Sequence, residues 1–215
     1  MTMDINFDEY IEKKVKFYQN LSRVTINTEQ YSLPVTLSNT LFKDINTDFS
    51  YFIARRKQKE RLKAVEGREF REKLLHRFPL FSEIRDCSNP AIYWFKIKHL
   101  EKSNNKSLLK RFVKTRNPKN GWWSKPRKDI ENMTEYLYLG KVEKNLFDRF
   151  TQHLGFGHRM TSSLKLSQWI DKIDDIELEF QFLQLDTSEI SYLQDIENVL
   201  WRKFDPLLGA EPHIK

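Results

Sequence analysis

Side chains that could act on a phosphate are concentrated in residues 135–153, EYLYLGKVEKNLFDRFTQH. Tyr138 lies in an apolar, aromatic run that predicts a β-strand, and Gly140 is expected to end that strand in a turn. A helical pattern follows, in which Arg149 and His153 are four positions apart and therefore share one face. A tyrosine at a strand end and a basic pair on the next helix suit a phosphate-handling site. Ordinary strand-turn-helix structure produces the same pattern.

Two other segments carry side chains of the same kind. Upstream, Tyr93 is at the centre of the apolar run AIYWF, which predicts another strand. Downstream, Glu197 is at the edge of the apolar stripe of a predicted amphipathic helix, and the sequence DPLLG follows at residues 205–209. A carboxylate at that position is either a surface side chain or one that points into a pocket beside the core.

The residues themselves supply what the cleavage of a phosphodiester requires. The planar guanidinium of Arg149 can bind two phosphate oxygens at once. A lone carboxylate such as Glu197, together with water, suits a hard divalent cation. A tyrosine is a poor base at its ordinary pKa of about 10, and we expect a metal and the nearby cations to lower that pKa.

The order of these motifs is more specific than any one of them. The chain reads Ala-Ile-Tyr, Tyr-Leu-Gly-Lys, Arg-x-x-x-His, a helical Glu and Pro-Leu-Leu. Over residues 89–212 this order resembles the GIY-YIG nuclease family, in its restriction-endonuclease-like or repair-nuclease-like branch. The resemblance implies an α+β fold, with a small three-stranded antiparallel sheet flanked by helices. It also implies a metal-dependent endonuclease that hydrolyses phosphodiester bonds in DNA.

The same resemblance implies a role for each motif residue. Tyr93 matches the tyrosine that activates water, and Tyr138 matches the second tyrosine, which shapes the site. Arg149 matches the helix arginine of the family. Glu197 matches the carboxylate that binds the metal, Mg²⁺ or Mn²⁺.

Other positions match only some branches of the family, or depart from it. His153 matches a histidine of restriction-type members, and Lys141 matches a lysine of restriction-type and repair-type members. Ala91 replaces a glycine of the first motif, in a predicted strand where the change is harmless. Gly209 stands where the family often has asparagine, which leaves one family contact unaccounted for.

Positive charge is focused on the segment between the first two motif strands. The chain has a net charge of +7, but residues 96–128 hold twelve Lys or Arg and one acid, Glu101, whereas residues 129–215 carry −7. Contact with a phosphate backbone would relieve the repulsion within such a block. We therefore predict DNA, with double-stranded DNA favoured, as the partner of the following residues: Lys110, Arg111, Lys114, Arg116, Trp122, Trp123, Lys125 and Arg127. The alternative is a solvated insertion whose tryptophans pack on the core.

The length of 215 residues permits one domain with a sizeable appendage. We place a boundary near residue 88, between an N-terminal helical region (1–88) and a nuclease-like domain (89–215) with a basic insertion (96–128). The pattern predicts helices at 7–21, 49–78 and 161–171, loop at 22–48 and a strand at 176–182.

Composition also limits the setting and the partners. The single cysteine, Cys87, excludes an intrachain disulfide and fits a reducing cytoplasm. Because no apolar run reaches transmembrane length, we expect no membrane partner. A homodimer would suit two-strand cutting at a palindrome, although no pattern specifies one. Two alternatives to an enzyme stay open: a nucleic-acid-binding protein with weak or no cleavage, and a module that binds acidic proteins.

Overall fold

The computed structural model describes residues 11–12, 15–16, 19, 31–52, 64–98, 105–116, 123–127, 134–156, 161–173 and 176–211. At its centre is an antiparallel sheet with the strand order β1-β4-β2-β3. The strands are β1 (Val35–Ser38), β2 (Ala91–Lys98), β3 (Tyr136–Val142) and β4 (Glu177–Gln184). The helices are α1 (Asn39–Asp48), α2 (Ala64–Arg77), α3 (Ser82–Asp86), α4 (Asn105–Thr115), α5 (Leu146–Leu154) and α6 (Leu193–Phe204). None of the helices in these ranges is both long and apolar enough to cross a membrane.

The predicted α+β class is confirmed, but the sheet has four strands where we expected three. The additional strand, β1, lies in the stretch that we predicted to be loop. Val35 and Leu37 are buried, while Thr36 between them is exposed, so the strand alternates as a half-buried strand should. Helix α1 follows at once, because the Ser38 side chain accepts a hydrogen bond from the Leu41 N–H and caps the helix.

The region before residue 88 is therefore neither purely helical nor separate where it is described. Strand β1 pairs with β4, so that Val35 lies opposite Phe180. Phe70 of α2 packs on Phe156, which follows α5, with ring centroids 4.5 Å apart. The described part of residues 31–88 shares one sheet and one core with the rest of the chain.

The two long helices predicted near the N-terminus fall partly outside the described residues. Within 7–21, the five described residues are helical. Within 49–78, residues 50–52 and α2 are helical, and Gly67 lies inside α2. The basic residues at positions 55–63 are not described, whereas Lys73 of α2 pairs with Glu69.

The sheet is covered on both faces, which explains why its central strand β2 is apolar at nearly every position. On one face, Tyr93 and Phe95 belong to the main core, together with Phe150 of α5. On the other face, Ile92 and Trp94 pack with the apolar residues of α6. Successive side chains of a strand point to opposite faces, so a strand buried on both faces has no polar alternation.

The C-terminal half largely follows the sequence pattern. The alternation over 176–182 corresponds to β4. Asp186 and Glu189 form the predicted capping box, which opens a 3-10 turn, Thr187–Tyr192, that runs into α6. The helix predicted at 161–171 is wrong, because the chain forms two 3-10 turns there, Leu166–Gln168 and Ile170–Lys172. Lys165 has a left-handed backbone (φ 50°), which no continuous helix allows.

The basic segment is not a single exposed insertion. Lys96 and Lys98 belong to β2, where they pair with Glu135 and Glu177 at 3.0 and 3.1 Å. Helix α4 lies in the middle of the segment. Trp123, which we expected to meet DNA bases, is buried with 7 % of its surface exposed, and its ring packs on Phe112 of α4. The core alternative therefore holds for this tryptophan, while Trp122 lies outside the described residues.

Trp123→Ala is expected to lower the free energy of unfolding by about 3–5 kcal/mol, because a buried tryptophan leaves a cavity when it is truncated. Urea unfolding measures the change. Lys125→Ala, an exposed neighbour, is the control and should stay within about 0.5 kcal/mol of the wild type. Equal stabilities of the two variants would contradict the buried position of Trp123.

Candidate functional site

The hydroxyl of Tyr93 is the meeting point of the site. It accepts a hydrogen bond from Arg149 Nε at 2.9 Å and lies 3.0 Å from His153 Nε2. Arg149 and His153 come from one face of α5, as their spacing predicts, and Tyr93 comes from the centre of β2. Tyr93 and His153 are fully buried, whereas Arg149 is partly exposed. The structure therefore brings together three of the residues that the sequence singled out.

The protonation state of His153 follows from its second ring nitrogen. The backbone N–H of Leu164 donates to Nδ1 at 3.3 Å. Because a backbone N–H can only donate, Nδ1 must carry a lone pair, and in a neutral imidazole the proton is then on Nε2. Burial, together with the Arg149 charge, lowers the pKa of His153 well below its usual value. A neutral His153 therefore donates its Nε2–H to Tyr93.

Arg149 connects the two tyrosines. Its Nη2 donates to the Tyr138 hydroxyl at 3.3 Å, and its Nη1 donates to Gln152 Oε1 at 2.9 Å. Together with the bond to Tyr93, three of its five N–H groups bind described residues, which leaves two for a ligand. Sequence reasoning missed Gln152, although its position three residues after Arg149 on the helix was the available signal.

Gly140 makes room for this arrangement. We predicted that it ends the strand, but β3 continues to Val142 and Gly140 pairs with Tyr93 across the ladder. A Cβ on Gly140 would lie 2.6 Å from the Tyr93 hydroxyl oxygen and 2.9 Å from the Tyr138 ring. The glycine is therefore required by the close approach of the two tyrosines and not by a turn.

Lys141 and Glu197 approach from the other face of the sheet. Lys141 lies opposite Ile92, whose side chain belongs to the cluster under α6. Glu197 on α6 is buried, and Gln194 Nε2 donates to its Oε2 at 3.1 Å. Burial raises the pKa of Glu197, while the charges of Lys141 and Arg149 act to lower it. Glu197 is carried by α6, which packs against β3 on the face of the sheet opposite Tyr93 and His153.

The lowering of a tyrosine pKa that we expect from a bound metal together with nearby cations stays a prediction for Tyr93. Burial raises the pKa of Tyr93 well above its usual value, and the Arg149 charge opposes this only in part. Tyr93 is therefore a neutral phenol in the free protein at neutral pH.

The fit to a metal ion rests on one carboxylate. Among the described residues, no three His, Cys, Asp or Glu side chains come together as a ligand group. Glu197 is nevertheless a suitable single ligand for Mg²⁺, which keeps several waters and often uses one protein carboxylate with substrate phosphates. Burial raises the pKa of this carboxyl, while the Lys141 charge, the hydrogen bond from Gln194 and the Arg149 charge act to lower it.

Gly209 has a backbone conformation that favours glycine. Its φ is 121°, a value that L-residues rarely adopt. Its Cα faces the Tyr138 ring, and a Cβ at this position would lie 3.5 Å from the nearest ring carbon. The Leu208 N–H donates to the Leu137 carbonyl and holds the segment against β3. The glycine therefore lines the site by its backbone.

The predicted DNA-binding residues separate into two groups. Lys110, Arg111 and Lys114 are exposed on α4, Arg116 follows them, and no ion pair is formed by these four within the described part of the chain. By contrast, Arg127 pairs with Asp205 and lies over the Trp201 ring, at 4.9 Å from its centroid, so it is engaged within the protein. The α4 cations, with exposed Lys125, form the cationic face of the described structure.

Comparison of the chain with protein-family models, with curated proteins and with solved structures gave no match.

The lowered pKa of His153 predicts a loss of stability in acid. Burial in the folded state disfavours protonation of His153. The resulting contribution of neutral His153 to the free energy of unfolding is present above the unfolded-state pKa of 6.5 and is lost as the pH falls below it. The slope is about 1.4 kcal/mol per pH unit for one proton. When the free energy of unfolding is measured in urea between pH 7.5 and 5.5, its slope against pH should be smaller in His153→Gln than in the wild type. The control is His76→Gln, at an exposed position on α2, and a slope in His153→Gln as steep as that of this control would refute the assignment.

Proposed function

We propose that this chain is a metal-dependent endonuclease of the GIY-YIG type that hydrolyses phosphodiester bonds in DNA. The observation that carries the proposal is the double donation to one buried tyrosine oxygen, from Arg149 and His153. A tyrosine hydroxyl can both donate and accept, so the kind of partner and not the number of partners distinguishes this oxygen. Two donors, one of them cationic, favour the charged phenolate form of the same oxygen.

In the proposed reaction, Tyr93 first loses its own proton to solvent, and the resulting phenolate then accepts the proton of the attacking water. Arg149 and His153 offset part of the cost of burying a phenolate, because both donate to the oxygen that becomes charged. The two remaining N–H groups of Arg149 bind phosphate oxygens and stabilise the additional negative charge of the transition state. Tyr138, which is partly exposed, orients the guanidinium through its hydroxyl.

Glu197 is the residue that would hold Mg²⁺ or Mn²⁺. A bound divalent cation would polarise the phosphate and stabilise the leaving oxygen. Gln194 binds one oxygen of the carboxylate, Oε2, and so fixes its orientation. Lys141, beside the carboxylate, adds a positive charge on the same side of β3 and attracts the anionic substrate.

The substrate class is supported by the position of the cationic face. The buried side of α4 is connected to the site through the core. Phe112 of α4 packs on Trp169, with ring centroids 5.0 Å apart. The Trp169 indole N–H donates to the carbonyl of Leu164, whose backbone N–H binds His153. The opposite side of α4 carries exposed cations that lack acidic partners among the described residues.

A nucleic-acid-binding protein with weak or no cleavage is the second candidate. It is favoured by the complete burial of Tyr93, since a base must reach the water that it deprotonates. In that case the Arg149 network would serve only to hold α5 against the sheet, and α4 would bind DNA without hydrolysis.

Plasmid cleavage tests the enzyme. Wild-type protein with Mg²⁺ or Mn²⁺ should produce ends that carry 5′ or 3′ phosphates, and a chelator should stop the reaction. Tyr93→Phe, which removes only the hydroxyl, and Glu197→Gln, which removes only the charge, should each abolish cleavage and keep DNA binding. Asp195→Asn, on the same helix as Glu197, is the control and should cut at the wild-type rate. Cleavage by Glu197→Gln at that rate would refute the metal assignment, and tight binding without any cleavage would establish the second candidate.

The salt dependence of DNA binding tests the cationic face. The logarithm of the binding constant should fall linearly with the logarithm of salt concentration, with a slope of about −0.9 for each phosphate neutralised. Alanine at Lys110, Arg111, Lys114 and Arg116 should flatten this slope and weaken binding to all sequences alike.

The matched control removes the same number of positive charges by alanine substitution at cations that already have acidic partners: Lys73, Arg77, Arg85 and Arg202. This variant should keep the wild-type slope. If instead the salt dependence falls by the same amount in both variants, net charge and not α4 determines the affinity, and the DNA-binding surface is elsewhere.

A further inference from the structure

The turn that faces His153 is built around one residue, Leu164. Its backbone N–H donates to His153 Nδ1 at 3.3 Å, and its carbonyl accepts from the Trp169 indole N–H at 2.9 Å. Both hydrogen bonds are buried, and Trp169 is 1 % exposed. The backbone of Leu164 is therefore bound on both sides, by His153 at its N–H and by Trp169 at its carbonyl.

The turn has a locally strained backbone and is closely packed against its neighbours. Lys165, the next residue, has a left-handed φ of 50°, a conformation that persists only where the surroundings impose it. The carbonyl of Ser163 accepts from the Ser124 N–H at 3.1 Å. At the end of α5, a Cβ on Gly155 would lie 2.6 Å from Ser167 Oγ, so helix and turn interlock without space between them.

This turn decides the direction of the hydrogen bond between His153 and Tyr93. With a donor fixed on Nδ1, the neutral imidazole must carry its proton on Nε2 and donate to Tyr93. Without that donor, the other tautomer becomes accessible, in which Nε2 accepts from the tyrosine hydroxyl. Tyr93 would then have one donor, Arg149, in place of two, and its phenolate would lose a stabilising partner.

We propose that Trp169 is a positioning residue of the site, which holds Leu164 in place and thereby fixes His153 as its Nε2–H tautomer. The effect on catalysis rests on the proposed nuclease function, whereas the effect on the tautomer does not. Trp169→Phe is the informative variant, because it keeps an aromatic ring against Phe112 and removes the indole N–H.

The first readout is the nitrogen NMR spectrum of histidine in labelled protein, which distinguishes the two tautomers directly. Wild-type His153 should show the Nε2–H pattern. Trp169→Phe should show a mixture or the Nδ1–H pattern. Trp94→Phe is the matched control, since Trp94 is also a buried tryptophan but lies on the opposite face of the sheet, and it should leave the His153 signals unchanged.

The second readout is the rate of plasmid cleavage, which should fall about tenfold in Trp169→Phe with DNA affinity unchanged, the low end of the range for residues that orient a site histidine. An unchanged Nε2–H pattern in Trp169→Phe would overturn the inference, whatever the rate. So would an Nδ1–H or doubly protonated His153 in the wild type, a measurement that needs no variant to fold. If the wild type binds DNA without cutting it, the proposed function fails while the tautomer measurement still decides the role of Trp169.

Discussion

A buried tyrosine hydroxyl must find partners inside the protein, and most of the local structure around Tyr93 is explained by how it finds them. Leaving such a group without a hydrogen bond costs about 1–3 kcal/mol. Here the partners are a guanidinium and an imidazole, which have to enter the same volume from one helix. Their arrival requires Gly140 to lack a side chain, and it requires the end of α5 to face a backbone N–H from the turn at Leu164. The surroundings are aromatic, since Phe95 and Phe180 pack about the Tyr93 ring, and in such a medium an unpaired polar group is more costly and a paired one more strongly held.

Sequence reasoning grouped the side chains of the candidate site better than it anticipated the structure that supports them. Arg149 and His153 were paired correctly because a spacing of four puts two residues on one helical face whatever the tertiary structure. The function of Gly140 was missed because a glycine in a strand and a glycine in a turn look alike in the sequence. The donor to His153 could not be foreseen, since every residue except proline has a backbone N–H and the donor of Leu164 leaves no trace in residue type.

The errors at the level of the fold have similar physical origins. Strand β1 contributes only two buried apolar residues, too few to distinguish alternation from chance. Trp123 was assigned to DNA because its neighbours in sequence are basic, yet a large ring is more readily accommodated in the core, against Phe112. The predicted DNA-binding surface is now smaller than the whole basic segment. Lys96 and Lys98 form ion pairs with glutamates, and Arg127 forms one with Asp205, so these cations are already engaged within the protein.

The pairing of β1 with β4 has a consequence for how the chain folds during its synthesis. Ser32 and Phe182, whose backbones are joined across this pairing, are 150 residues apart in the chain. A ribosome that adds about 5–20 residues per second needs roughly 8–30 s to make the intervening segment. During that period the edge of β1 has no strand to pair with and its apolar side chains stay uncovered. Both are then open to incorrect association with other chains. The sheet that carries Tyr93 can close only after β4, which ends at Gln184, has been synthesised, so its completion is a late and long-range step of folding.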